Sequence, residues 1–379
     1  MKKIFIEQSL FHSIRSTKRH KRRKRKNAPV KKLRKDTFSQ EKAIALLKVH
    51  GKPLRMPEVF CLDENCKETM RFIQNQRDLI FSDIKLLKKK ATKKPHPLKQ
   101  SWHYTDFTTA KKIGTSAALV LAADYDRFQI LTKKKLYAID FDQWEDTIKN
   151  TLDDLGFLKI FNIKNDNKIP ITNKTKTLQF MSARNADDTV TPELIEGIKG
   201  FVDGLEDVSL LLLGDAISEA MTNVGHHAYP EDYKYTFQHI NKWWTTASYN
   251  PEEKLLSVAF YDQGVSIPIS LRNNHLSDIA KRLLQQLKGI AGFDNQSDAE
   301  MIDLAIQIGK TSTNRSERGK GLHDICSTLD QCAEGYIRIL SRHGEYLYKK
   351  EQENSEGYGT LISHSNSIGG TLIEWGMKV

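Results

Sequence analysis

The fold is decided by three segments, EAMTN at 219–223, DQGVSIP at 262–268 and ERGKGL at 317–322. In the first segment Glu219 and Asn223 are four residues apart. In a helix that spacing puts a carboxylate and a carboxamide one turn apart on the same face. The segment therefore predicts a helix that carries a carboxylate–amide pair.

The second and third segments contain a lone aspartate and a glycine-rich turn. Asp262 ends an apolar run and precedes Gly264, which permits a close turn. Gly319 and Gly321 flank Lys320 at the start of an amphipathic segment, where free backbone N–H groups at a helix N-terminus can receive phosphate. Together the three segments predict a nucleotide site with a base-reading aspartate and a glycine-rich phosphate cover.

The ordered segments resemble the motifs of the GHKL ATPases, the superfamily of gyrase, a heat-shock chaperone, histidine kinases and a mismatch-repair ATPase. EAMTNVGHHAY at 219–229 is similar to the first motif, especially as it occurs in anti-sigma-factor serine kinases. DQGVSIP is similar to the second motif, TSTNRSERGKGL at 311–322 to the third, and GGTLIEW at 369–375 to the closing strand. The resemblance covers 171–379. It departs from the family pattern at Ser266, where a second glycine is usual.

The resemblance implies that ATP or ADP binds at this site with Mg²⁺. It assigns the metal to Asn223, whose side-chain oxygen is a hard ligand of the kind that Mg²⁺ accepts. It makes Glu219 the catalytic residue, a general base that orients and deprotonates a water or hydroxyl. It also implies that Asp262 accepts a hydrogen bond from the exocyclic amine of adenine. Thr371 would support that contact through its hydroxyl, and an ordinary strand residue is the alternative. The implied cofactor-binding residues are Asn223, Asp262, Gly264, Gly319, Lys320, Gly321 and Thr371.

The fold class that the resemblance implies is α/β. Residues 171–379 are expected to form a C-terminal two-layer α/β sandwich, with a mixed, mostly antiparallel sheet and helices on one face. Strands are predicted at 174–180, 240–250, 254–262, 336–342, 345–350 and 371–377. Helices are predicted at 206–229, 275–289, 298–309 and 321–335.

The segment 101–165 has the pattern of a small α/β unit before the sandwich. Strands are predicted at 101–107 and 134–141, and helices at 111–128 and 144–163. IGTSAALVLAA at 113–123 resembles the STAS fold of anti-anti-sigma factors around its phosphorylated Ser or Thr. The usual preceding Asp is Gly114 here. A hydroxyl cap on a packing helix is therefore the alternative to phosphorylation of Thr115 or Ser116.

The charge of the chain is concentrated at its start. The net charge is +12, and residues 1–35 contain fifteen Lys or Arg and one acidic residue. A run this dense repels itself, so we expect a disordered basic arm at 1–35. Residues 15–35 are a candidate for binding nucleic acid or another polyanion, and a solvated tail is the alternative. Residues 36–100 are expected to be helical and charged, ending in a Lys/Pro linker.

The rest of the composition favours a cytoplasmic protein with a packed core. Hydrophobic residues make up 39% and charged residues 28%. The longest apolar runs are too short to cross a bilayer, and the first residues lack a secretory apolar region. The cysteines do not form the repeated pair of a zinc site, so none is expected. They are Cys61, Cys66, Cys326 and Cys332.

Three functions remain in competition at this point. The leading hypothesis is a slow Mg²⁺-dependent ATPase, a hydrolase used as a conformational or regulatory switch in bacteria. The second is a protein serine/threonine kinase of the anti-sigma type, acting on a STAS-like partner or on its own STAS-like unit. The third is a nucleic-acid-binding protein whose ATP site controls the arm. The sequence does not identify the protein partner, and it does not decide whether the chain forms a homodimer.

Overall fold

The computed structural model describes most of the chain beyond residue 51. The described residues are 44–45, 48, 51–91, 103–165, 175–184, 189–200, 202, 207–273, 281–282, 285, 295–311, 329, 334–352 and 357–379. Within these ranges, none of the helices combines the length and the apolar character needed to cross a membrane. The predicted basic arm and the 317–322 segment lie outside the described residues.

Twelve strands and seven helices are described in these ranges. The strands are β1 (Lys52–Arg55), β2 (Val59–Phe60), β3 (His103–Asp106), β4 (Lys112–Ile113), β5 (Lys176–Thr177), β6 (Met181–Ala183), β7 (Trp243–Asn250), β8 (Leu255–Asp262), β9 (Gly335–Ser341), β10 (Gly344–Lys350), β11 (Tyr358–Ser363) and β12 (Thr371–Lys378). The helices are α1 (Cys66–Ala91), α2 (Thr115–Thr132), α3 (Asp146–Asp154), α4 (Val190–Lys199), α5 (Asp207–Asn223), α6 (Ile267–Asn273) and α7 (Asp298–Thr311).

The centre of the fold is an eight-stranded sheet. Its strand order is β11-β10-β9-β12-β8-β7-β5, and β6 also pairs with β7. Each of these pairings is antiparallel. The remaining described strands form two short parallel pairs, β1 with β3 and β2 with β4. The sequence thus predicted an α/β protein correctly, and the large sheet is antiparallel throughout its described strands.

Helices α4, α5 and α7 cover one face of this sheet. Helix α5 presents Leu213, Ile217 and Ala220 at helical spacing, and all three are buried. They share a core with Trp243 and Trp375 of the sheet. Since strand side chains alternate between the two faces, this core uses every second residue of the central strands. This helix layer on the sheet is compatible with the α/β sandwich that the sequence predicted.

The opposite face of the sheet is covered as well, which the sequence did not predict. Helix α2 packs there against β7 and β8 and has buried residues on all sides. Its core includes Tyr261, Leu340 and Leu372 of the sheet. Apolar residues of the central strands are buried on this second face too, beside the buried Arg338 and Glu374, so it also requires a covering layer. Described residues within 51–82 and 103–161 therefore share a core with the sheet, and the prediction of helices on one face only was wrong.

Two predictions of individual elements were also wrong, and one strand was not predicted. Residues 134–141 form no strand, because the left-handed Asp140 (φ 55°) turns the backbone into a short 3-10 helix. The helix predicted at 144–163 breaks at Gly156, whose φ is +76°. Strand β11 was not predicted because it is an exposed edge strand with few buried side chains. Most of the helices predicted at 275–289 and 321–335 lies outside the described residues.

The start of α2 decides the position of the two hydroxyls proposed as phosphate acceptors. Gly114 occupies the N-cap position, so neither Thr115 nor Ser116 is the cap that the sequence suggested. The half-buried Thr115 donates a hydrogen bond to Ser248 Oγ at 3.0 Å. Ser116 is buried and donates to Glu374 of β12. Both hydroxyls therefore join α2 to the sheet.

Candidate functional site

Asp262 and Thr371 lie directly opposite each other on neighbouring strands. Asp262 is the last residue of β8 and Thr371 the first of β12, and the two are register partners. Ser341, the last residue of β9, is the register partner of Thr371 on its other side. The Thr371 and Ser341 hydroxyls are 2.9 Å apart. The adjacent ends of three central strands thus place three oxygen-bearing side chains in one row across the sheet.

The carboxylate of Asp262 is buried, with 6% of the residue exposed. The backbone N–H of Gly264 donates to its Oδ1 at 2.7 Å. Burial raises the pKa of Asp262 to about 7, and hydrogen bonds from the backbone of Gly264 and Thr371 offset part of the shift. Among the described residues no cation pairs with Asp262. A buried carboxylate without a cation partner is stabilised by a neighbouring hydrogen-bond donor.

Gly264 is required by the close approach of another backbone. A Cβ at this position would collide with the carbonyl oxygen and side chain of Ala228. The same carbonyl accepts a hydrogen bond from Val265 N at 2.8 Å. Ala228 ends the π turn that continues helix α5 (Val224–Ala228). This contact fixes the end of the α5 segment beside the end of β8.

Asn223 and Glu219 lie on the last turn of α5, as predicted. Both side chains are half-buried. Asn223 is the final residue of the helix and opens the π turn. The buried Ala220 and Val224 anchor this turn in the core below the sheet, so the carboxylate–amide pair is held by packing. The structure thus places Asn223 on the segment that contacts the Asp262 turn.

The glycines before β12 are needed for two different reasons. Gly370 has φ +142° and lies against Asp262, where a Cβ would overlap the Asp262 carbonyl. Gly369 has φ +72°, and a Cβ there would overlap the guanidinium of Arg77. Residues other than glycine rarely adopt either backbone conformation. The approach to Thr371 is therefore determined jointly by β8 and by helix α1.

Ser266 occupies the position where the resembling family carries a second glycine. Its φ is +82°, in the region that glycine favours, so the substitution keeps the conformation at a cost in strain. The residue is buried, and its hydroxyl has no hydrogen-bond partner in the part of the chain that the structure describes. Ser266 therefore departs from the family pattern in its side chain but keeps the positive φ that glycine favours at this position.

The sequence interpretation missed two features beside the site. Ser341 accepts a hydrogen bond from Ile267 N at 2.9 Å and so links β9 to helix α6. On the other face, Gln263 donates to Asp124 of α2 at 2.7 Å. Nothing in the local pattern marks these residues, since each gains its role from a strand or helix distant in sequence. Gly319, Lys320 and Gly321 lie outside the described residues.

Comparison with known proteins adds no assignment to this geometry. No protein-family model matches the chain, and no curated protein matches it. The interpretation of the site therefore depends on its own residues and contacts.

Proposed function

We propose that this chain is an ATP-binding protein of the GHKL type, in which residues 171–379 form the ATPase domain. Slow Mg²⁺-dependent hydrolysis would serve as a conformational switch in the cytoplasm. The observation that carries the proposal is the buried Asp262 carboxylate, which has backbone donors and no described cation partner. The exocyclic amine of adenine is a donor that suits it. Guanine presents a carbonyl oxygen at the same position, which a carboxylate repels.

The neighbouring residues fit the remaining parts of such a ligand. Thr371 has its hydroxyl in the same row as Asp262, within reach of the base contact. Asn223 offers a hard oxygen for Mg²⁺, which supplies positive charge to the phosphates when bound. Glu219, one turn earlier, would orient and deprotonate the attacking water. Gly319, Lys320 and Gly321 remain the predicted phosphate cover.

The proposal is tested by incubating the protein with labelled ATP and Mg²⁺. Free phosphate and labelled protein are both measured, because the first reports hydrolysis and the second reports transfer to a hydroxyl. The runner-up, a serine/threonine kinase of the anti-sigma type, predicts label on protein. Release of phosphate alone supports the ATPase.

Binding is tested separately with Asp262→Asn. The exchange keeps the shape but replaces a carboxylate oxygen by an amide, and loss of one charge-assisted hydrogen bond costs about 1.5–3 kcal/mol of binding energy. Asp142→Asn, on an exposed turn, is the matched control because it removes the same charge. Unchanged ATP affinity in Asp262→Asn, or equal affinity of the wild type for ATP and GTP, would contradict the proposal.

A further inference from the structure

Three side chains that bind metals well in proteins meet at the β10–β11 hairpin, three strands across the sheet from β8. Cys66 is the first residue of α1, Glu345 lies on β10, and His364 follows β11. A thiol, a carboxylate and an imidazole are thus brought together from three elements. Their potential ligand atoms all lie within 4.8 Å of one another.

The hydrogen bonds of the cluster hold two of the three groups in place. His364 Nε2 and Glu345 Oε2 are 2.6 Å apart. The other carboxylate oxygen of Glu345, Oε1, accepts from Arg338 Nε at 3.0 Å. The backbone N–H of His364 donates to the carbonyl of His343 at 2.7 Å, which fixes the loop that carries the imidazole. Glu345 and His364 are therefore positioned before any ion arrives.

The charges around this cluster favour a cation. The guanidinium of Arg338 contacts three carboxylates, those of Asp63, Glu345 and Glu374. One guanidinium is thus shared among three carboxyl groups, and burial raises the pKa of Glu374. Glu345 and Glu374 are buried, so water does little to compensate. A divalent cation at the Glu345 end would supply the positive charge that the described side chains lack.

We propose that Cys66, Glu345 and His364 bind a zinc ion. Zinc accepts sulfur, imidazole nitrogen and carboxylate oxygen together, in tetrahedral geometry. With bonds of about 2.0–2.3 Å, ligand atoms in such a site lie about 3.5 Å apart, so His364 Nε2 and Glu345 Oε2 would separate from 2.6 Å as the ion enters. The ion takes the place of the proton between His364 and Glu345, the imidazole takes its other tautomer, and the thiol proton leaves to solvent.

The proposed ion would join three parts of the fold. Cys66 starts helix α1, which covers one face of the sheet, while Glu345 and His364 belong to the hairpin at the sheet edge. Three protein ligands leave the fourth position to water or to another ligand. None of the three ligands is among the residues of the proposed nucleotide site, so the experiment does not depend on the proposed function.

The test uses the full-length protein, stripped with a chelator and then loaded with Zn²⁺ or with Co²⁺ as a spectroscopic substitute. We expect one zinc per chain. We also expect a near-ultraviolet band of the cobalt protein, because a thiolate ligand gives charge transfer to Co²⁺. Cys66→Ser should abolish this band. Loss of outer partners of a metal site lowers affinity about 10–100-fold, so loss of the ligand in Cys66→Ser or His364→Gln should lower zinc affinity at least about tenfold.

Cys61→Ser is the matched control, since Cys61 is a buried free thiol five residues before Cys66. It should keep both the zinc and the cobalt band. Unchanged zinc affinity in Cys66→Ser or His364→Gln would overturn the proposal. If either variant fails to fold, the wild-type protein decides: a cobalt spectrum without the thiolate band, or no zinc retained after dialysis, overturns it.

Discussion

The guanidinium of Arg77 on α1 and the carboxylate of Asp124 on α2 form a buried, bidentate ion pair. Nε donates to Oδ1 and Nη2 donates to Oδ2, each at 3.0 Å. Nη1 of the same guanidinium donates to the carbonyl of Ile368 at 2.7 Å. Asp124 also accepts from Gln263, the residue after Asp262. This ion pair thus connects α1 and α2 to the residue after Asp262 and to the loop before Thr371.

Replacing Arg77 by alanine should strongly destabilise the fold. The change leaves the Asp124 carboxylate buried without its partner, and breaking a buried pair in this way costs about 3–5 kcal/mol. The free energy of unfolding, measured in urea, checks the value. Arg71→Ala removes an arginine from an exposed pair with Glu68 on the same helix and should cost about 1 kcal/mol or less. Equal losses in the two variants would contradict the role given to Arg77.

The raised pKa of Asp262 makes stability depend on pH. Since the folded-state pKa is about 7, against an ordinary value of 3.8, the folded protein binds the extra proton between these two values. The free energy of unfolding should therefore fall as pH rises through this window, by about 3 kcal/mol from about pH 5 to about pH 8. Asp262→Asn should remove this part of the dependence, and Asp142→Asn should retain it. Urea unfolding at both pH values tests the difference.

Glu219 and Asn223 should separate chemistry from metal binding. If Glu219 is the base, Glu219→Ala should lower ATP turnover by about a hundredfold or more while ATP affinity stays similar. Asn223→Ala should instead weaken the part of ATP binding that depends on Mg²⁺. Titrations with and without Mg²⁺, beside turnover measurements, distinguish the two. An equal loss of binding in both variants would indicate a disrupted helix.

Residues 15–35 should bind a polyanion in a manner that depends steeply on salt. Each phosphate neutralised by Lys or Arg releases counterions, so the logarithm of affinity should fall with the logarithm of salt concentration. Deleting residues 1–35 should abolish binding to a DNA duplex and leave ATP binding intact. Binding that ignores salt, or that survives the deletion, would return the arm to a solvated tail.

Much of the sheet and of the α5 helix was predictable because their signals are local. The helix predicted at 206–229 includes α5 and its π turn, and the apolar run before Asp262 predicts a central strand. The family resemblance assigned Asp262 and Thr371 to one contact, whereas their position as register partners came from the structure. Strand β11 could not be predicted, since an edge strand buries few side chains and leaves a weak pattern.

The sequence by itself determined the α/β class and much of the central sheet and of α5, because periodicity acts over a few residues. The residues assigned to nucleotide chemistry stay a prediction. Only the tertiary structure decided that α2 covers the second face of the sheet. It alone paired Arg77 with Asp124, and it alone brought Cys66 to Glu345 and His364. These partners are separated by 47 residues in the first case and by more than 270 in the second. Contacts at such distances are set by packing of the whole core, and no local pattern in the chain records them.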